Sequence, residues 1–182
     1  MRKYGQLAAV LLCLLVLAGC SSTPPFQPGQ IVLDARTAQN ALANASAKVG
    51  WAYLYGGPGP GDFDCSGLAV WSYRQAYPAL RLYDGIGVYD DASADILWRF
   101  NVERIAAAAL RPGDLVFISS DAERVTHVGL FSRWLSTDTM EIIDASSYYG
   151  RVVVEPWPVS GIKRGQWLVG VGRMKTVISA QE

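Results

Sequence analysis

Histidine is almost missing from this chain: 182 residues hold one, His127, beside three cysteines, Cys13, Cys20 and Cys65. A zinc site of the usual kind takes three or four His, Cys or carboxylate ligands, so this scarcity argues against metal chemistry, and no metal or other cofactor is expected. An excess of either charge is missing too, with 16 Lys and Arg against 16 Asp and Glu. Without a basic face the chain is not expected to bind nucleic acid. Polar bias is also absent. With 51% hydrophobic and 18% charged residues, the chain is not of the disordered class and has apolar surface for one core of ordinary domain size. The apolar run from Leu7 to Leu17 is too short to cross a bilayer.

That run has the form of an export signal, because Arg2 and Lys3 give it a positive start and small residues close it. Its end, Leu17-Ala18-Gly19-Cys20, resembles the lipobox of bacterial lipoproteins. The resemblance implies a signal over residues 1–19, cleavage before Cys20, and acylation of Cys20 with several chains, palmitate among them, enough for stable membrane attachment. Removing residues 1–19, two of them basic, leaves 14 basic against 16 acidic side chains. Ser21 after the lipid-bearing Cys20 resembles outer-membrane lipoproteins, so the expected location is the cell envelope, facing the periplasm. Residues 20–33 contain Pro24, Pro25 and Pro28 among Ser, Thr and Gln, the composition of a semi-extended tether. At about 3.1 Å per residue, such a tether of about ten residues holds a domain about 30 Å from the membrane.

With Cys13 in the signal and Cys20 lipidated, Cys65 is the one thiol inside the domain, expected over residues 34–176 with a tail at 177–182. No intradomain disulfide can form, although the export destination favours disulfides. Such a thiol is either buried and inert or retained for its chemistry.

Asp34 to Val49 reads as a helix with Asp34 as N-cap and Gly50 as C-cap. The run Gly56-Gly57-Pro58-Gly59-Pro60-Gly61 demands a loop, and Leu68 to Tyr77 has a broad apolar face at helical spacing. Cys65 therefore falls at a helix start. Ala92 to Phe100 also reads as helix, which Glu103 to Ala109 either continues or follows with a separate turn. Beyond the turn Arg111-Pro112-Gly113-Asp114, five strands are predicted: Leu115–Ile118, Thr126–Ser132, Met140–Ala145, Arg151–Glu155 and Trp167–Met174. Helices first and antiparallel strands after is an α+β plan.

A thiol attacks as thiolate, and the free N–H groups at a helix start favour negative charge there. The N–H of Cys65 can also face a reacting carbonyl as an oxyanion donor. A leaving amine needs a proton, and imidazole is suited to deliver it; the candidate is His127, on a strand where His127, Gly129 and Phe131 share one face.

Four runs carry a family resemblance: Tyr53-Leu54-Tyr55-Gly56-Gly57, Phe63-Asp64-Cys65-Ser66-Gly67-Leu68, Leu110 to Phe117 through Pro112-Gly113-Asp114, and His127-Val128-Gly129-Leu130-Phe131. In this order and spacing they resemble the motifs of the NlpC-type cell-wall peptidases over about residues 34–175. The resemblance implies a papain-like α+β fold, helices packed on a mainly antiparallel sheet of about five strands, and a cysteine peptidase. Its implied substrate is the stem peptide of bacterial peptidoglycan, cut commonly between γ-D-glutamyl and a diamino acid. It makes Cys65 the nucleophile and His127 the base, puts Tyr53 near the oxyanion, and places Asp64 and Ser66 at the pocket border.

One position departs from the family, which has a second His on the following strand where Ile142-Ile143-Asp144-Ala145 places Asp144. A carboxylate can orient an imidazole and stabilise imidazolium, so Asp144 is the expected third catalytic residue, with Asp62, Asp114 and Glu141 as substitutes. The connection from Phe131 to Met140 is longer than the family's tight hairpin. Asp114 is expected to satisfy its own turn, while Trp157 and Tyr148-Tyr149 are expected in loops that wall a groove. Two further readings stay open: a silent lipoprotein that binds through this fold, and a thioester acyltransferase or amidase acting on another amide. Nothing in the residues names a regulatory partner.

Overall fold

A computed structural model describes residues 27–178. The signal and the first half of the tether, Cys20 included, lie outside the described residues, as does most of the tail.

The first strand, β1 (Gln30–Val32), occupies the end of the expected tether. Ile31 and Val32 are β-branched and follow the last proline, and they pair with Thr176 and Lys175 at the sheet's edge. Asp34 caps α1 (Ala35–Ser46), accepting the Thr37 N–H at 2.7 Å. Helix α1 ends at Ala47 rather than Gly50, and Gly50, at φ 91°, turns the chain toward the glycine-rich loop. Helix α2 (Cys65–Ala76) follows, packed on α1.

A two-stranded ribbon, β2 (Leu82–Tyr83) with β3 (Val88–Tyr89), precedes α3 (Ala94–Phe100). The next segment does not continue that helix. Asn101 closes it, its side chain bonding the Tyr83 backbone and the Ile96 carbonyl, and Val102–Ile105 becomes β4 before one 3-10 turn, Ala107–Ala109.

The five predicted strands are all present, most of them longer: β5 (Leu115–Ser119), β6 (His127–Trp134), β7 (Thr139–Ser146), β8 (Arg151–Pro158) and β9 (Trp167–Val177). With β1 and β4 they make a seven-stranded antiparallel sheet in the order β1-β9-β5-β6-β7-β8, β4 pairing with β9. Alternation along β5 assigns its two faces: Leu115 and Phe117 pack toward Leu68 and Tyr73 of α2, whereas Val116 and Ile118 join Phe131, Met140, Ile142 and Trp157. Trp157 is thus not a groove wall in a loop. It is a strand residue, 1% exposed, and its flanking Pro156 and Pro158 are tolerated because β8 is an edge strand with one side unpaired. Among the described residues no helix is long and apolar enough to cross a membrane.

Candidate active site

Cys65 is the first residue of α2, held there by Asp64 in front of it. Asp64 Oδ1 accepts the Gly67 N–H at 2.6 Å and the Ser66 hydroxyl at 3.0 Å, while Oδ2 accepts the Gly56 N–H at 3.0 Å. One carboxylate therefore caps the helix and ties the glycine-rich loop to it. A Cβ on residue 67 would lie 2.0 Å from the Gly57 carbonyl oxygen, so Gly67 is what lets loop and helix approach. The first-turn N–H of Cys65 has no protein acceptor among the described residues and faces the same end of the helix as the thiol.

His127 opens β6, and its Nε2 lies 2.8 Å from Asp144 Oδ2 on β7. Leu130 pairs with Ile143, which brings Gly129 level with Asp144 and makes His127 the diagonal neighbour of Asp144 on one face. A Cβ at 129 would stand 3.3 Å from that of Asp144 and 3.1 Å from Ile142 Cδ1; glycine leaves the space in which the two side chains meet. The long connection from Phe131 to Met140 proves to be mostly strand, closed by the Leu135 N–H to Thr139 carbonyl bond at 2.9 Å. Asp62, Asp114 and Glu141 are elsewhere engaged or placed: Asp114 accepts the Arg111 N–H at 2.8 Å, satisfying its turn, and Glu141 pairs with Arg133.

With Nε2 on Asp144, the other imidazole nitrogen is left for Cys65. Burial opposes a charge on His127, whose side chain is 14% exposed, but the electrostatic pull of Cys65 and Asp144 and their hydrogen bonds to the ring outweigh burial and lift His127 to about 10. Asp144 is fully buried; burial pushes its carboxyl up, and the hydrogen bond and charge of His127 pull it back. The proton belongs on the imidazole, which is flanked by acidic groups on both sides.

Cys65, Tyr53, Asp64 and Ser66 line a cleft of about 420 Å³. Tyr53 reaches it from a segment whose N–H bonds the Gly150 carbonyl at 3.0 Å, and burial followed by the Cys65 charge holds its hydroxyl protonated, above the ordinary range. The far wall holds residues that the sequence did not single out, Ser93, Asp95, Arg124 and Thr126. Asp95 joins two of these segments by accepting the Val125 N–H at 3.0 Å. Ser93 falls inside the helix expected from Ala92, but it caps α3, which begins one residue later at Ala94. Past Asp95 and Arg124 the cleft adjoins a second one lined by Trp98, Arg104 and Trp167. Tyr148 and Tyr149 are exposed in the β7–β8 turn, beside the segment that carries Tyr53. Among the described residues no cluster of His, Cys, Asp or Glu is placed to hold a metal ion.

Comparison with known proteins addresses the same region. A γ-DL-glutamyl hydrolase of Bacillus subtilis is 30% identical over 106 residues, 57% of this chain and 23% of that protein. A probable endopeptidase p60 of Listeria monocytogenes is 29% identical over 133 residues, 73% of this chain and 23% of that protein. This chain thus spans about a quarter of the length of these relatives. Among solved structures, a Staphylococcus aureus protein described as similar to lipoprotein, NLP/P60 family, superposes over 82% of this chain and 45% of its own at a TM-score of 0.52 and 26% identity. The model of the NlpC/P60 family matches residues 50–171, from the turn before the glycine-rich loop into β9. The helix-borne thiol and strand-borne imidazole both fall inside that match, and the chain belongs to the NlpC/P60 family.

Proposed function

We propose that this protein is a cysteine peptidase of the bacterial cell wall that hydrolyses an amide bond in peptidoglycan stem peptides. The observation that carries the reading is the 2.8 Å contact between His127 and a fully buried Asp144, with Cys65 opposite at the start of α2. The family and its relatives named as endopeptidases support the class, and the γ-DL-glutamyl hydrolase relative supports a γ-D-glutamyl bond as the one cut.

In this mechanism the Cys65 thiolate attacks the amide carbonyl, and the oxyanion is held by the Cys65 N–H and the Tyr53 hydroxyl. His127, kept in orientation by Asp144, gives its proton to the departing amine as the C–N bond breaks, leaving a thioester. The neutral imidazole then takes a proton from water, whose oxygen attacks the thioester carbonyl, and the thiolate leaves with the acid released. Asp64 and Ser66 border the pocket and hold the helix start in place. Attachment through acylated Cys20 would keep the domain beside its substrate, on the periplasmic face of the envelope.

Cys65→Ala and His127→Ala are each expected to abolish product release from purified muropeptides, read by mass spectrometry. Unchanged release by either variant overturns the reading, because the domain has no second thiol or imidazole to substitute. Fatty-acid labelling that survives in Cys20→Ser would overturn the anchor.

A further inference from the structure

A buried carboxylate in the place of a neutral orienting group has a cost that one hydrogen bond from imidazole does not cover, and Asp144 Oδ1 is buried with no hydrogen-bond partner. The same face of the sheet holds a second buried carboxylate. Glu155 on β8 is 4% exposed, and its pairing with Ile142 makes it the diagonal neighbour of Asp144. Left alone, two such charges would repel.

Arg164, in the connection between β8 and β9, is where this is resolved. Its Nη2 bonds both Glu155 oxygens at 2.7 and 2.6 Å, and Lys163 Nζ adds a third bond to Glu155 at 2.6 Å. The Arg164 guanidinium lies over Tyr148 at 4.6 Å, Tyr149 at 5.1 Å and Trp157 at 5.7 Å. Its Nε is buried without a partner, as is Asp144 Oδ1. Arg164, at φ 53°, and Gly165, at φ 76°, are the central residues of a tight turn closed by the backbones of Lys163 and Gln166, which places the guanidinium beside Glu155.

We propose that Arg164 is a positioning residue for the reaction, whose guanidinium compensates Glu155 and keeps Asp144 ionised behind His127. Lys163, Glu155, Arg164, Asp144, His127 and Cys65 then alternate in sign from the surface to the nucleophile. The inference rests on the Cys65–His127–Asp144 reading above and concerns what holds that site in its charge state. The groups facing Asp144 are His127 from β6, Glu155 from β8 and Arg164 from the β8–β9 connection; Cys65 and Asp64 stand beyond His127 at the head of α2, with Tyr53 before it. Glu155 acts to raise the Asp144 carboxyl and Arg164 to lower it, so the two partners should have opposite effects. Arg164 also pins the Tyr148–Tyr149 turn, whose Gly150 carbonyl holds the segment carrying Tyr53.

The test is the pH dependence of Cys65 alkylation by iodoacetamide, which needs no substrate and so can fail independently of the proposed hydrolysis. Arg164→Met is expected to move the acid limb of the profile to higher pH by about 1 unit, and Glu155→Gln to move it to lower pH. Arg164→Lys, which keeps the charge, should leave it near wild type. A purely structural role predicts lower melting temperatures with the limb unmoved, or moved the same way in Met and Gln variants; either result overturns the assignment. Should Arg164→Met fail to fold, the Glu155→Gln shift against an unmoved Arg164→Lys decides the matter, and a Glu155→Gln limb that stays put rejects it.

Discussion

The two halves of the candidate site, the head of α2 and the strand pair that carries His127, are held by opposite means. On the Cys65 side, Asp64 bonds groups two, three and eight residues away, and the glycine-rich loop folds against the helix it precedes. On the His127 side the partners are 17 residues apart, as in His127 and Asp144, or belong to different strands and their connection, as with Glu155 and Arg164. The first side makes a nucleophile out of helix geometry, with partly exposed groups. The second is buried and charged, so each group there depends on the next. Local hydrogen bonds of the first kind can be removed at modest cost, whereas removing one member of a buried charge array leaves another uncompensated.

The largest expected loss on the strand side comes from Asp144→Asn, which keeps the shape and removes the charge. Turnover of muropeptides should fall by roughly 10²–10⁴-fold with the fold retained, the range of a general acid–base contribution. A loss below threefold would place the orienting charge elsewhere. Next comes pH. His127 is raised from an ordinary value of 6.5 to about 10, so its proton stabilises the folded state fully below about pH 6.5, and that contribution is lost as pH rises toward 10. The melting temperature of wild type should therefore decline over this window more than that of His127→Gln, measured by scanning calorimetry; parallel declines would reject an imidazolium in the folded protein. On the helix side, Asp64→Ala should cost about 1–2 kcal/mol in denaturant unfolding, the range for a lost N-cap, together with some loss of activity as the loop loosens. A cost above about 4 kcal/mol would show that this side is as interdependent as the other. The smallest effect belongs to Arg133→Ala, whose side chain is 67% exposed in its pair with Glu141. A change of about 0.2–1 kcal/mol is expected, and a larger one would mean that even the outer strand charges are coupled.

Legibility followed the same division. Asp34 announces its helix because a capping side chain reaches only to the third N–H ahead of it, and Cys65 at a helix start can be read from the glycine loop and the apolar spacing behind it, although the capping by Asp64 emerges only in the structure. Five strands were visible from their apolar runs. The misreadings fell where tertiary pairing overrode local pattern. Glu103 to Ala109, open in sequence between more helix and a separate turn, begins in a strand drawn to β9 before its 3-10 turn, and Gln30–Val32, placed in the tether, completes the sheet's edge. Trp157 between two prolines looked like a loop, yet the edge of a sheet accepts proline and the core took the indole. Asp144 was reached through a family pattern that it departs from, and only the strand register shows it meeting His127.

By itself the sequence determined a chain of balanced charge with one imidazole, one thiol inside the domain, and a helix start beneath that thiol, because counts and short-range capping need no knowledge of the fold. The tertiary structure alone decided that Asp144 faces His127, that Glu155 lies diagonally beside it, and that Arg164 bonds Glu155. Those contacts depend on strand register and burial, and a shift of one residue in register would turn each of these side chains to the other face of the sheet.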